Sequence, residues 1–383
     1  MQNMNKKDRA LLIALWAQEK VGVKTLSQAL AIKQQLQLTA GEFYRNKGNV
    51  WAKVPFTTET IEALRQFRQR YSLTTYLEYL SQENVQILTS FDQSYPKLLK
   101  TISDHPLVLS VRSKFDVHSG EFARNFNNTL AVVGTRHMTS YGRLVIKTLL
   151  PRLSTTHTVV SGFMYGVDVT AARIALESGG RTIAILGFGF NHCFPAAHQT
   201  LMEDFIKQGA IFMSEFPIDT RAYPSNFVLR NRIIAGLAPA TLVIEAAERS
   251  GSHITAEYAN NYGRLVMAVP GPITNPYSQG TKALIQQGAT LVASVEDIYQ
   301  ALGDDYQSRT MQNASLSPVA SSADQANQTA QQVILEALSH QSGLNSDGLI
   351  AATNLQEGLL QQTLFDLEMQ GLISKKYGEY CLT

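Results

Sequence analysis

Between Asn128 and Gly303, short apolar runs recur at regular intervals, each followed by a loop and then a helical pattern. The runs are Leu130–Val133, Val159–Val160, Ile183–Leu186, Ile211–Met213, Leu242–Ile244, Val266–Val269 and Thr290–Val292. Unbroken apolar stretches of this length suit parallel strands covered on both faces. Between them, Leu144, Val145, Leu149 and Leu150, then Val169, Ala172 and Leu176, follow helical spacing. Strands alternating with helices predict an α/β chain built on a Rossmann-like, doubly wound parallel sheet. Ligands of such sheets bind outside the carboxyl ends of the strands.

Polar groups concentrate in one stretch of this region, Ser225 to Ala259. A helix over Phe227–Leu237 ends before Pro239, and a strand runs to Glu245. Ser250, Gly251 and Ser252 then open a second helix. Backbone N–H groups at such a helix start can face an anion. Arg230, Asn231 and Arg232 flank the same loop. Two residues apart on a helix diverge by about 200°, so Arg230 and Arg232 cannot both point squarely at one ligand beyond the first turn. Glu245 is a general base in principle, and the stronger expectation is that it caps or orients the Ser250–Ser252 loop.

Glycines mark the expected strand ends. Gly134, Gly162, Gly187 and Gly251 each fall just after an apolar run or in the loop beyond it. A glycine lets a ligand approach the backbone closely, and four along one edge predict an extended anion-binding rim. The chain lacks G-x-x-x-x-G-K-[ST], and Gly187–Phe188–Gly189 lacks the third glycine of a dinucleotide fingerprint. Nucleotide hydrolysis and nicotinamide chemistry lose weight accordingly.

Composition excludes further classes. A net charge of +2 over 383 residues means that a nucleic-acid partner requires a local basic patch. Cys193 and Cys381 are isolated, which argues against a disulfide framework or a zinc site. His137, His192, His198 and His253 lie near expected loops without metal-ligand spacing, so no metal and no cofactor is expected. No apolar run reaches the ~18 residues needed to span a membrane. The opening residues suit an amphipathic helix better than a signal peptide. The expectation is a cytoplasmic protein with no membrane partner.

The ordered blocks of residues 85–303 resemble the DprA/Smf family, the DNA-processing proteins of natural transformation. The resemblance rests on Val133–Arg136 with Ser140–Gly142, and on Val160–Gly162 with Gly166–Asp168. It continues through Gly179–Ala184, Ser214–Pro217, Arg230–Leu237, Glu245–Ala246, Ser250–Ser252 and Val269–Pro272. It implies a Rossmann-like domain that binds single-stranded DNA without sequence preference, protects it and loads RecA recombinase onto it. It also implies a homodimer with no established catalytic activity. The family's phosphate-contacting segment corresponds to Gly134, Thr135 and Arg136; Ser161, Gly162 and Gly187 fall in its other strand-end loops.

Three positions depart from the family pattern. Met164–Tyr165 stands where relatives carry alanine–arginine, Ala171–Ala172 where they carry alanine–histidine, and Phe194–Pro195–Ala196–Ala197 lacks the usual basic residue. A less cationic groove is therefore expected. Single-stranded DNA offers base faces as well as phosphates, and stacking on aromatics contributes about 1–3 kcal/mol per base. Tyr165 is expected to stack on a base where relatives place an arginine. Phe163, Phe188, Phe190 and Phe194 are further aromatic candidates, with packing beneath the loops the commoner fate for any one of them.

The flanks extend this plan. Residues 1–75 form an expected helical domain, with twelve Lys/Arg to five Asp/Glu over residues 1–70. The turn at Gly22 faintly resembles a helix-hairpin-helix module but lacks its second glycine. Residues 76–303 carry the Rossmann-like domain with its N-terminal extension. Residues 304–330, rich in Ser, Ala, Gln and Asn, read as a flexible linker. Residues 331–383 read as a winged-helix-like domain whose acidic third helix favours a protein partner. Two alternatives remain at this level. One is a nucleotide-binding hydrolase of the related LOG-like superfamily; the other is a partner-binding scaffold with a vestigial groove.

Overall fold

The computed structural model describes residues 4–18 and 21–303, together with 330–331, 333–338, 343–353, 355–369, 373–376 and 379–382. The expected linker lies almost wholly outside the described residues. Five helices come first: α1 (Lys6–Trp16), α2 (Val23–Gln35), α3 (Ala40–Tyr44), α4 (Thr58–Arg70) and α5 (Thr75–Gln82). The sheet then opens with β1 (Gln86–Thr89), α6 (Lys97–Lys100), β2 (Val108–Arg112) and α7 (Gly120–Arg124). The repeating part runs β3 (Thr129–Val133), α8 (Ser140–Leu153), β4 (Thr158–Ser161), α9 (Val167–Glu177), β5 (Arg181–Leu186), α10 (Gln199–Gln208) and β6 (Ile211–Ser214). It continues α11 (Pro224–Gly236), β7 (Ala240–Val243), α12 (Gly251–Asn261), β8 (Leu265–Ala268), α13 (Gln279–Gln286), β9 (Thr290–Leu291) and α14 (Val295–Leu302).

These strands make one nine-stranded sheet in the order β1-β2-β6-β5-β4-β3-β7-β8-β9. The seven from β6 to β9 pair in parallel, while β1 and β2 are antiparallel additions at one edge. The doubly wound expectation therefore holds. Chain order reverses at β3, which has β4 on one side and β7 on the other. A crevice opens at such a switch point.

Alternate residues of each strand feed different faces, as the two-residue period demands. In β5, Ala184 and Leu186 join one core, while Ile183 and Ile185 join the other. The first core takes Ala172 of α9 and Met202 and Phe205 of α10, the second Ile233 and Ile234 of α11 and Ala256 of α12. Each fully buried aliphatic side chain contributes roughly 1.5–3 kcal/mol, which is why unbroken apolar runs were needed here.

The helical segment shares the first core. Leu11, Leu15, Phe43, Trp51 and Leu64 cluster with Phe188, Phe190 and Phe212 of the sheet region. Residues 1–304 accordingly form one compact unit and 305–383 a second. Within the second unit, helices Ser346–Thr353 and Glu357–Met369 precede a hairpin of Ile373–Lys376 paired with Glu379–Leu382. Ile334, Leu338, Leu349, Leu360, Leu364, Leu367, Ile373 and Tyr380 are the buried residues of its core among those described. Among the described residues no helix is long and apolar enough to cross a membrane.

Candidate nucleic-acid interface

The switch-point crevice is built by backbone pairing between two loops. The Thr135 N–H donates to the Glu245 carbonyl at 2.7 Å, and Val167 N–H donates to the Thr135 carbonyl at 3.2 Å. These bonds tie the ends of β3 and β7 to the start of α9. Thr139 caps α8 by accepting from the Gly142 N–H. Ser250 caps α12 in the same way, accepting from Ser252 N–H. Asn231 reaches across from α11 to donate to the Gly251 carbonyl at 3.3 Å. Gly134, Thr135, Arg136, Ser161, Gly162, Arg230, Asn231 and the Ser250–Ser252 loop are thus gathered along one edge of the sheet.

Beside this crevice lies a groove of about 1100 Å³ walled by α8, α9 and the start of α10. Its cations are Arg136, Arg143, Lys147 and Arg173, and Glu177 is its one acid. Arg143 and Lys147 sit one turn apart on α8, so both face the groove. Tyr165 stands among them, 47% exposed. Its ring meets the His198 ring nearly at right angles, 4.6 Å between centroids and 74° between planes. That geometry supports the ring while leaving a face open. His198 is itself buried, with Nδ1 3.2 Å from the Phe163 carbonyl. Burial holds its pKa below the usual value, so it packs as a neutral ring.

Two residues before Tyr165 the backbone takes an unusual conformation. Phe163 has φ 59°, a conformation costly for a bulky residue. Its ring is nevertheless fully buried against Phe205 and Phe212, and that burial offsets the strain.

Several expectations need correction. At Gly134, Gly162 and Gly187 the space that a side chain would take is filled by the protein's own atoms. A Cβ on Gly134 would meet Val167 at 2.6 Å, and one on Gly187 would meet the Phe227 ring at 2.8 Å. One on Gly162 would meet both the Arg230 guanidinium and the Asp168 carboxylate at 2.6 Å. Only Gly251, of the four, is open. Glu245 does not orient the Ser250–Ser252 loop. It is buried, and its carboxylate accepts from Thr139 N–H at 2.9 Å, Thr139 Oγ1 at 2.6 Å and Asn275 Nδ2 at 3.1 Å. Its work is to fix the loop that carries Arg136 and opens α8. Of the aromatic candidates, Phe163, Phe188 and Phe190 are buried, and Tyr165 and Phe194 are exposed.

The two α11 arginines part as the helix angle requires. Arg230 is buried and donates to the carbonyls of Gly162 (2.7 Å) and Ile185. It braces the ends of β4 and β5, with Asp168 opposite. Burial raises the Asp168 pKa to about 6, against the pull of Arg230, the Met164 backbone and Ser161. Burial likewise lowers Arg230 to about 10, with the nearby Asp168 carboxylate opposing that shift. Arg232 turns the other way, pairing with Glu215 and donating to the Asp104 carbonyl at 2.7 Å. It does not face the groove.

Sequence reasoning did not name Arg143, Lys147 and Arg173, because it weighed cations only in the strand-end loops and on the helix before β7. The available signal was the i,i+4 spacing of Arg143 and Lys147 just after a strand-end loop.

Comparison with known proteins agrees with this architecture. The family model described as DNA recombination-mediator protein A matches residues 86–303, more than half of the chain. Protein Smf of Escherichia coli is 40% identical over 237 residues, covering 61% of this chain and 61% of that protein. The DNA processing protein DprA of Bacillus subtilis is 35% identical over 222 residues, covering 58% and 72%. The X-ray structure of DprA from Streptococcus pneumoniae superposes with a TM-score of 0.61 at 27% identity, over 78% of this chain and 98% of that one. The match thus spans about three fifths of the Escherichia coli relative's length. By its sequence and its sheet, this chain belongs to the DNA recombination-mediator protein A family.

Proposed function

We propose that the α8–α9 groove binds single-stranded DNA without sequence preference, with phosphates on Arg136, Arg143, Lys147 and Arg173 and a base on Tyr165. The observation that carries this is the meeting of four cations and one half-exposed aromatic ring in a single groove that begins beside the carboxyl edge of the sheet. Charge tracks a backbone and a flat ring accepts any base, which is the recipe for sequence-tolerant binding. Relatives are named DNA processing proteins, and the family description is that of a recombination mediator. The chain would then hold incoming strands, act as a homodimer, and pass them to RecA recombinase. Gly134, Thr135, Ser161, Gly162, Gly187, Arg230, Asn231 and the Ser250–Ser252 loop shape the site around those contacts, and the second unit takes a protein partner as a winged-helix-like module.

The hydrolase alternative needs a carboxylate free to act as base. Glu245 is 1% exposed and holds three hydrogen bonds, which weighs against it.

The test is fluorescence anisotropy of labelled single-stranded and duplex oligonucleotides at two salt concentrations. Single strands are expected to bind more tightly and to weaken with salt. Arg136→Ala is expected to weaken binding and lower the salt slope by about one. Tyr165→Ala is expected to weaken it by about 1–3 kcal/mol with the slope unchanged, because stacking releases no counterion. Absence of single-strand binding at low salt would overturn the proposal. Mononucleotide turnover would then favour a hydrolase, and neither activity a scaffold.

A further inference from the structure

Four residues of the crevice meet on one side chain that carries no charge. Phe227 lies in the first turns of α11, half-buried, one turn before Arg230. The Arg230 guanidinium lies 5.8 Å from the Phe227 ring centre. The Arg136 guanidinium, arriving from the loop after β3, also lies 5.8 Å from it. Gly187 provides the seat, since any side chain there would strike the ring. Phe194 closes the cluster at 5.6 Å, tilted by 52°.

This arrangement asks for a reason, because it brings two like charges to one ring. Arg230 is buried, faces Asp168 and is bonded to two carbonyls. Its position is fixed from within. Arg136 is exposed, and an exposed arginine has many rotamers to lose on binding. A ring face attracts a guanidinium through its quadrupole. Phe227 can therefore hold Arg136 in a restricted set of orientations before any ligand arrives, and such preorganisation raises affinity by lowering the ordering cost.

Resting on the reading of the groove given above, we propose that Phe227 is a positioning residue: seated over Gly187 and backed by the fixed Arg230, it presents the Arg136 guanidinium to a phosphate of the bound strand. It touches no nucleotide itself. Its effect runs wholly through Arg136, and that is what separates it from a residue that merely packs.

A double-mutant cycle reads this directly. Phe227→Leu keeps apolar bulk and removes the π face. It is expected to weaken single-strand binding about two- to five-fold, in keeping with an exposed cation–π contact, and to lower the salt slope toward that of Arg136→Ala. In the Arg136→Ala background the same change is expected to do nothing. Phe227→Tyr, which restores the ring, is expected to bind as wild type. Equal losses in both backgrounds, or no loss in either, would overturn the proposal.

A second arm needs no DNA. The Arg136 Nε–Hε resonance, shifted by the ring current, is expected to move in Phe227→Leu and to stay in place in Phe227→Tyr. If it does not move in Phe227→Leu, the proposal falls whatever the groove binds. If it moves but the wild-type protein binds no single strand, the positioning contact stands and the reading of the groove falls.

Discussion

Arg232→Met is expected to lower the stability of the 1–304 unit by about 3–5 kcal/mol, the usual cost of leaving a buried charge without its partner. The Arg232 and Glu215 side chains are 7% and 12% exposed. Burial raises the Glu215 pKa, and the Arg232 guanidinium pulls against that rise. Glu215 Oε1 already lacks a hydrogen-bond partner. Removing Arg232 would strand the other oxygen as well. The loss should also spread, because the Glu215 backbone carbonyl accepts from the Trp16 indole N–H at 2.6 Å. That bond joins α1 to the end of β6. Urea unfolding followed by tryptophan fluorescence therefore reports on the affected region itself. Arg232→Met with Glu215→Leu should recover most of the loss, since replacing both charges by apolar groups removes the uncompensated one. If Arg232→Met unfolds at the wild-type midpoint, the pair is not held in the buried state described.

That ion pair also shows how far a sequence can carry the reading. The strands were legible because a parallel sheet covered on both faces admits almost nothing but apolar residues, as in Leu130–Val133 and Ile183–Leu186. The edge of the sheet was legible because chain order and strand ends follow from that alternation. The divergence of Arg230 and Arg232 was legible too, from helix geometry alone. Their partners were not. Nothing local to Arg232 indicates Glu215, seventeen residues earlier, or Asp104, still further away. Long-range pairing decides which arginine braces the strand ends and which anchors the helical segment.

The site was legible at its loops and not at its helices. Arg136 and Tyr165, which line the groove, were named from the sequence because they lie in loops that follow strands. Arg143, Lys147 and Arg173 lie on faces of α8 and α9 whose exposure depends on where neighbouring helices leave them uncovered. The glycines fall at the strand ends as expected, and beside three of them the protein itself fills the space of a side chain. A missing Cβ records that something comes close, but not what. At Gly162 it is Arg230 and Asp168, and at Gly187 it is Phe227. A ligand and a side chain leave the same mark in the sequence.

Gly166 turns that lesson into the second large expected effect. Its backbone has φ 79° and ψ −124°, a region open to glycine and closed to L-residues with a Cβ. Forcing another residue into such a conformation costs on the order of 1–3 kcal/mol. A Cβ there would also overlap the Thr135 carbonyl oxygen and lie 2.7 Å from the Arg136 carbonyl carbon. These are backbone atoms, so no side-chain rotation relieves the overlap, and the loop carrying Arg136 must move. Gly166→Ala is therefore expected to destabilise the protein by roughly 2–4 kcal/mol, combining strain with overlap. It should also weaken single-strand binding at least as much as Arg136→Ala, because it displaces Arg136 and Tyr165 together. Gly251→Ala is the matched control: a Cβ there meets nothing within 4 Å, and alanine at a helix start is tolerated, so stability should change little. Chemical unfolding and oligonucleotide anisotropy on the two variants decide the matter. Wild-type stability and binding in Gly166→Ala would show that the β3 and β4 loops are not locked against each other. A loss confined to Gly166→Ala would place the mutual packing of these loops, not open space beside them, at the base of the groove.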